Sequence, residues 1–209
     1  MTEQITAITR FTVADEADAE AFASRFAEQA AGIVTAAGCL GNFFARSARD
    51  PRTFANVGWW ASAGDHLAVV RGEEFQSHVA VLAGLAKAEP DQFAATGVGT
   101  FDGPEPVRGA GEAVAVLALT RFTLHSAGHE GGFREAFEEH AATVRTRDGF
   151  LGHTLLRSTI DPLRYVNLGW WNSPAEYLAV LRTPEFAADS ERMAGFAEGK
   201  GDLFVRADS

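Results

Sequence analysis

Apolar residues recur along the chain with two periods, every second position in short runs and every third or fourth in longer ones. The run Ile5–Val13 is rich in Ile, Thr, Val and Phe and predicts a first strand. Phe22, Phe26, Ala30 and Ile33 follow at helical spacing, predicting a helix that stops at Gly38. Leu40–Ser47 predicts a second strand, Asp50-Pro51 a turn, and Phe54–Ser62 a third strand. A helix through Asp65–Leu85, broken at Gly72, and a last strand over Gln92–Val98 complete the series. The same order then returns. Strand Ala115–Leu124 precedes a stripe of Phe133, Phe137, Ala141 and Val144 that should stop at Gly149. Strands Leu151–Ser158 and Tyr165–Ser173 flank Asp161-Pro162. A helix through Pro174–Ala197, broken at Pro184, leads to a strand at Leu203–Ala207.

The recurrence extends to the letters. Phe54-Ala-Asn-Val-Gly-Trp-Trp60 returns as Tyr165-Val-Asn-Leu-Gly-Trp-Trp171, so Trp59 maps onto Trp170 at a displacement of 111 residues. The same displacement maps Thr9-Arg10-Phe11-Thr12 onto Thr120-Arg121-Phe122-Thr123, and Leu67-Ala68-Val69 onto Leu178-Ala179-Val180, without a gap. Two copies are too few for a solenoid and point to tandem duplication of a small domain. The expected division is 1–100, a Gly/Pro-rich linker at 101–112, and 113–209. Each copy reads βαββαβ, the ferredoxin-like α+β arrangement with both helices on one face of an antiparallel sheet. On the third strand Ala55, Val57 and Trp59 point one way and Phe54, Asn56, Gly58 and Trp60 the other. Both faces are largely apolar, so both should be buried. Two such sheets stacked within one chain would form an intramolecular dimeric α+β barrel.

Composition narrows the function. Eighteen Lys and Arg against 28 Asp and Glu give a formal net charge of −10, with 46% hydrophobic residues, in 209. That fits a folded chain and argues against a nucleic-acid reader, which needs a basic face to displace counterions. An acidic surface also repels anionic lipid, and no run of roughly 18 apolar residues is present to span a bilayer. The single cysteine, Cys39, permits no internal disulfide, and the opening MTEQITAITRF lacks a secretory pattern. The expectation is a cytoplasmic protein without membrane or nucleic-acid partners.

Candidate chemistry concentrates on the third strand. Asn56, Gly58 and Trp60, with Asn167, Gly169 and Trp171, stand at i, i+2 and i+4 on one face. Glycine inside a strand suggests close approach to the backbone, and a flat ligand there would meet an amide and an indole N–H. The same spacing also fits a bulge at Gly58, Trp60 as core filler and an Asn56 satisfied by backbone. Arg10, Arg46 and Arg71 recur as Arg121, Arg157 and Arg182, which suits strand ends and surface ion pairs as well as an anion site. The six histidines do not repeat and show no HxH or HExxH spacing, so no metal site is expected. His140, three residues after Phe137, and His153, beside the third strand, are candidate general bases over Gly169 as well as ordinary surface histidines. No GxGxxG, GxxxxGK[ST] or GxSxG pattern occurs.

The βαββαβ order with an Asn-x-Gly-Trp-Trp strand and the following Leu-Ala-Val helix resembles the antibiotic-biosynthesis monooxygenase family, over both copies. The resemblance implies oxidation of a polyketide-like phenol or anthrone to a quinone by O₂ with no cofactor. It also implies catalytic roles for Asn56, Trp60, Asn167 and Trp171. Gly58, Gly169, Phe54, Tyr165, His140, His153 and Tyr177 would line the substrate. The haem-degrading branch ligates iron through a histidine on the helix after the tryptophan strand, where this chain has Val69-Val70 and Val180-Leu181. A non-catalytic small-molecule binder of the same fold stays open, as does a homodimer of the fused pair. The copies diverge where Gln29, Asn42 and His66 face His140, His153 and Tyr177, which makes the second copy richer in proton-moving groups.

Overall fold

The computed structural model describes residues 3–99 and 116–207, so the linker Phe101–Glu112 and the boundaries at 100 and 113 lie outside the described residues. Among the described residues eight strands and six α-helices follow one another. The first series is β1 (Ile5–Val13), α1 (Ala19–Ile33), β2 (Cys39–Ser47), β3 (Thr53–Trp60), α2 (Ala63–Val70), α3 (Glu73–Ala83) and β4 (Ala86–Gly99). The second is β5 (Val116–Leu124), α4 (Glu130–Val144), β6 (Phe150–Ser158), β7 (Arg164–Trp171), α5 (Pro174–Val180), α6 (Pro184–Ala194) and β8 (Ala197–Arg206). Each series is βαββαβ with its second helix in two pieces, a tandem of ferredoxin-like α+β domains.

The helix breaks fall where the sequence places them. Gly72 is the extended N-cap of α3. Thr183 caps α6 by accepting the Phe186 N–H at 3.3 Å, and Pro184 takes the first helical position, where a missing N–H has no consequence.

Four expected boundaries are corrected. α1 and α4 end at Ile33 and Val144, short of the glycines at which they were expected to stop. Gly38 (φ 79°) and Gly149 (φ 76°) instead make the left-handed turn into the second strand of each series. A Cβ at either would collide with the side chain of Asp65 or Glu176. The last strands also begin earlier, at Ala86 and Ala197. Their first halves are exposed and polar, so no alternation betrays them. Even so, Ala86–Ala94 pair in register with Val13–Ile5 of β1, because the ladder needs only backbone groups.

The chain divides into two compact units, residues up to Ala94 with those from Phe204 onward, and Ala95–Leu203. The ends of β4 and β8 therefore belong to opposite units from their beginnings. In the first unit β3 lies between β1 and β2, and Ala45–Ser47 of β2 pair with Phe204–Arg206 of β8. In the second, β7 lies between β5 and β6, and the Thr96 hydroxyl at the end of β4 donates to the Leu155 carbonyl of β6 at 2.7 Å.

Each unit has its own core. Phe11, Phe22, Phe26, Phe44 and Phe54 pack between sheet and α1, with Phe26 stacked on Phe44 at 4.1 Å. Phe122, Phe133, Phe137, Leu155 and Tyr165 do the same beneath α4. Buried rings of this size carry much of the apolar burial that stabilises a small domain.

Gly149→Ala is expected to lower the urea unfolding free energy by about 1–3 kcal/mol, through a strained φ and the displacement of Glu176. Gly131→Ala, on α4 with nothing within 4 Å of the new methyl, should be neutral or raise it by up to ~1 kcal/mol. Equal effects at the two positions would contradict this account of Gly149.

Candidate functional site

Register decides which face the candidate residues share. β1 and β2 place Thr9 and Phe44 beside Asn56, and Ala7 and Asn42 beside Gly58. Phe54 meets Phe22 of α1 at 5.1 Å between ring centroids, and Trp60 meets His66 of α2 at 5.2 Å. Phe54, Asn56, Gly58 and Trp60 thus face the helices of their own unit. Ala55, Val57 and Trp59 form the opposite face and are buried as well. In the second unit Thr120 and Leu155 flank Asn167, and Ala118 and His153 flank Gly169.

The pairing runs unbroken through Gly58 and Gly169, so neither glycine marks a bulge. The irregularity lies on the neighbouring strands, at Leu40 between Cys39 and Gly41 and at Leu151 between Phe150 and Gly152. One extra residue there brings Phe150 and His153, three apart in sequence, onto the same face beside Trp171 and Gly169.

The glycines admit the indoles. The Cβ position of Gly58 lies 3.1 Å from Trp60 Nε1 and 3.7 Å from Asn42 Oδ1. That of Gly169 lies 3.5 Å from Asn167 Nδ2 and 3.6 Å from Trp171 Nε1. Two N–H donors therefore converge over a bare stretch of β7. Both tryptophans are buried, and Trp171 is walled by Phe150 at 5.2 Å and Tyr177 at 5.6 Å. The Oδ1 atoms of Asn56 and Asn167 are buried without a hydrogen-bond partner, as is Oε1 of Gln29 on α1. Unsatisfied buried acceptors are uncommon and call for an explanation.

Phe54 and Tyr165 sit apart from this convergence, in the cores. Burial and the neighbouring Glu130 carboxylate push the Tyr165 phenol up to about 12, so it stays protonated. Arg46 and Arg157 cover these rings, donate to the Pro51 and Pro162 carbonyls, and pair with Glu20 and Glu130. These two recurrent arginines are structural.

The second unit adds a cluster of ionisable groups. His153 is 3% exposed and its Nε2 lies 3.2 Å from an Arg145 guanidinium nitrogen. A guanidinium only donates, so Nε2 accepts and the neutral ring carries its proton on Nδ1. Burial, then the Arg145 charge, hold the ring down at about 4. With Nε2 occupied and Nδ1 protonated, His153 is a neutral donor near neutral pH rather than the base its position suggests. His140, on α4, lies 3.3 Å from the Asp189 carboxylate of α6. Arg145 and Asp189 escaped the sequence reading because they are unmatched within the repeat, standing where the first copy has Val34 and His78. Extending the mismatches between copies beyond His140, His153 and Tyr177 to every charged position reveals both.

No group of three or more His, Cys, Asp or Glu able to hold a metal ion occurs among the described residues. Val69-Val70 close α2, and Val180 closes α5 with Leu181 as its cap, so these positions offer no iron ligand. No helix of the described residues is long and apolar enough to cross a membrane.

The unfolded chain binds a proton on His153 more readily than the folded one, so stability present above pH 6.5 is lost as pH falls toward 4. The contribution is roughly 3 kcal/mol at most. His153→Asn, the residue of the first copy, should flatten the acid limb of urea midpoint against pH between 6.5 and 4. An unchanged limb would contradict the buried neutral histidine.

A model of the antibiotic biosynthesis monooxygenase family matches residues 4–81 and 115–192. Deoxynogalonate monooxygenase of Streptomyces nogalater is 29% identical over 102 residues, covering 49% of this chain and 85% of that protein. Among solved structures, an anthrone oxidase-like protein superposes with a TM-score of 0.75 at 16% identity, covering 98% of this chain and 91% of the other. A Fusobacterium nucleatum protein superposes with a TM-score of 0.72 at 13% identity, covering 99% and 94%. At these identities the two structures establish the fold alone. With both copies matched across more than half its length, the chain belongs to the antibiotic biosynthesis monooxygenase family.

Proposed function

We propose that the protein oxidises a phenol or anthrone-type aromatic substrate to a quinone with O₂, with Asn167, Gly169 and Trp171 forming the principal reaction site. The observation that carries this reading is the convergence of the Asn167 amide and the Trp171 indole N–H over Gly169. The Streptomyces nogalater relative, a monooxygenase by name, supports it.

For an anthrone the balance is substrate plus O₂ giving quinone plus water. Deprotonation leaves the ring system electron-rich enough to reduce O₂. One oxygen becomes bound to the former methylene carbon as a hydroperoxide. Loss of water, which takes the carbon's second hydrogen and breaks the O–O bond, leaves the new carbonyl. The protein's share is to hold the ring and to offer fixed donors where negative charge develops, in a site poor in water. The Asn167 amide is aimed at the substrate oxyanion and the Trp171 N–H at the peroxide. His153, a neutral ring with its proton on Nδ1, stands beside Gly169 as a further donor toward the ligand.

The first unit repeats Asn56, Gly58 and Trp60 but has Gln29 and Asn42 where the second has His140 and His153. The unpartnered acceptors Gln29 Oε1 and Asn56 Oδ1 favour a second reading for that unit, binding of a hydroxylated aromatic without chemistry.

Aerobic incubation of the chain with a panel of anthrones and phenols should produce quinone absorbance. Asn167→Ala should lower the rate by ~10²–10³, the usual effect of losing one such donor. Trp171→Phe, which keeps a ring but removes the N–H, should also slow it, whereas Asn56→Ala should leave most of it. Binding of these compounds with no quinone formed would leave the chain a binder and overturn the oxygenase reading.

A further inference from the structure

The oxygenase reading leaves open which group removes the substrate's acidic proton, and His153 is committed to Arg145. We infer that His140, oriented by Asp189, is that base, and that only the second unit deprotonates its ligand; this rests on the oxygenase reading.

α4 presents Phe133, Phe137 and Ala141 to the core, and His140 follows Phe137 by one turn. The His140 and His153 rings both flank Phe137, at 6.4 and 5.6 Å. His140 therefore lies on the side of α4 that carries Phe137, close enough to His153, the partner of Gly169, for their charges to interact. A second ring, Phe186 of α6, meets it edge-on at 5.0 Å. Both His140 and Asp189 are mostly buried, with side chains 13% and 14% exposed.

The pair has a direction. An ionised carboxylate only accepts, so Nδ1 of His140 donates to Asp189 Oδ2 and Nε2 keeps the free lone pair. Asp189 is held from its other oxygen by Arg192 at 3.0 Å, and Arg192 also engages Glu139. An imidazole given its tautomer and orientation by a buried carboxylate is the usual arrangement of a general base. In the proposed step the substrate's C–H or O–H bond breaks, its electron pair stays on the ring system, and the proton moves to Nε2. Asp189 stabilises the imidazolium, which returns the proton when the peroxide's outer oxygen leaves as water. The first copy has Gln29 and His78 at these two places, and a glutamine accepts no proton at neutral pH.

The charged groups around His140 are Asp189 and Arg192 on α6, Glu139 on α4, and His153 with its partner Arg145. Burial lowers the His140 proton affinity most, Asp189 raises it and Arg192 lowers it, leaving it below the ordinary histidine value. The neutral, proton-accepting form therefore persists below pH 6.5, and activity should fall only as pH drops through that depressed value. Asp189→Asn removes the raising influence, so its acid limb should move to lower pH while its plateau rate falls.

The test mixes the full chain with 1,8-dihydroxyanthrone, first without oxygen and then in air. The wild type should develop the absorbance of the bound anion anaerobically. His140→Gln, which installs the residue of the first copy, should still bind, by tryptophan quenching, but lack the anion band. Its aerobic rate at pH 7 should fall by ~10²–10⁴, the loss shrinking as pH rises toward the substrate's own pKa. Adding Asp189→Asn to it should cost nothing further, because the pair acts as a unit. An anion band and near-normal turnover in His140→Gln would overturn the base assignment and leave the oxygenase reading standing. An anion band in the wild type with no quinone in air would support the base and overturn the oxygenase reading.

Discussion

A strand buried on both faces has no solvent side on which to place its polar groups, and β3 and β7 are such strands. Their period of two puts Ala55, Val57 and Trp59, or Val166, Leu168 and Trp170, on one face as apolar filler. The other face must then carry everything else, and in both copies it carries a core ring, an amide, a glycine and an indole. An unpartnered buried acceptor costs about 1–3 kcal/mol and a glycine inside a strand about 0.5–1 kcal/mol. Packing alone would favour Val or Leu at such positions. The arrangement makes physical sense if Asn56, Gly58 and Trp60, with Asn167, Gly169 and Trp171, serve a ligand whose own groups complete the hydrogen bonding.

The flanking strands and helices serve that face. The extra residues at Leu40 and Leu151 turn β2 and β6 so that Asn42 and His153 stand beside the glycines. The turns at Gly38 and Gly149 close against Asp65 and Glu176, which lie in the first turns of α2 and α5 and accept from their N-cap serines. The helices that roof the site are thereby tied to the strands that floor it. Duplication then allowed the two roofs to part company. Gln29 and His78 in one unit stand against His140 and Asp189 in the other, over the same amide–glycine–indole floor.

Much of the fold was legible because the repeat doubled every signal. Helix breaks at Gly72 and Pro184 and the order of elements come straight from capping residues and apolar period. What the sequence concealed has physical reasons. β4 and β8 begin in exposed stretches that include Pro90 and Gly199, where no side-chain pattern marks a ladder made by the backbone. Gly38 looks like a helix stop, yet its positive φ is used in a turn beyond the helix. At the candidate site the motif was visible, but its orientation toward the helices was not, because both faces of β3 read as apolar. Phe54 and Tyr165 share the motif's face yet lie one step too far along the strand, under α1 and α4. Arg145, the C-cap of α4, and Asp189 of α6 differ in type from their counterparts Val34 and His78, and only the fold brings them to His153 and His140.

Two N–H donors over Gly169 thus receive the oxyanion of an aromatic substrate and the peroxide formed on it. The most direct measurement is a crystal structure of the chain with bound anthraquinone, the product expected from an anthrone. One carbonyl oxygen within hydrogen-bonding distance of Asn167 Nδ2, with the opposite carbonyl facing Trp171 Nε1, is the predicted result. A quinone bound away from Gly169, with neither donor engaged, would contradict the account.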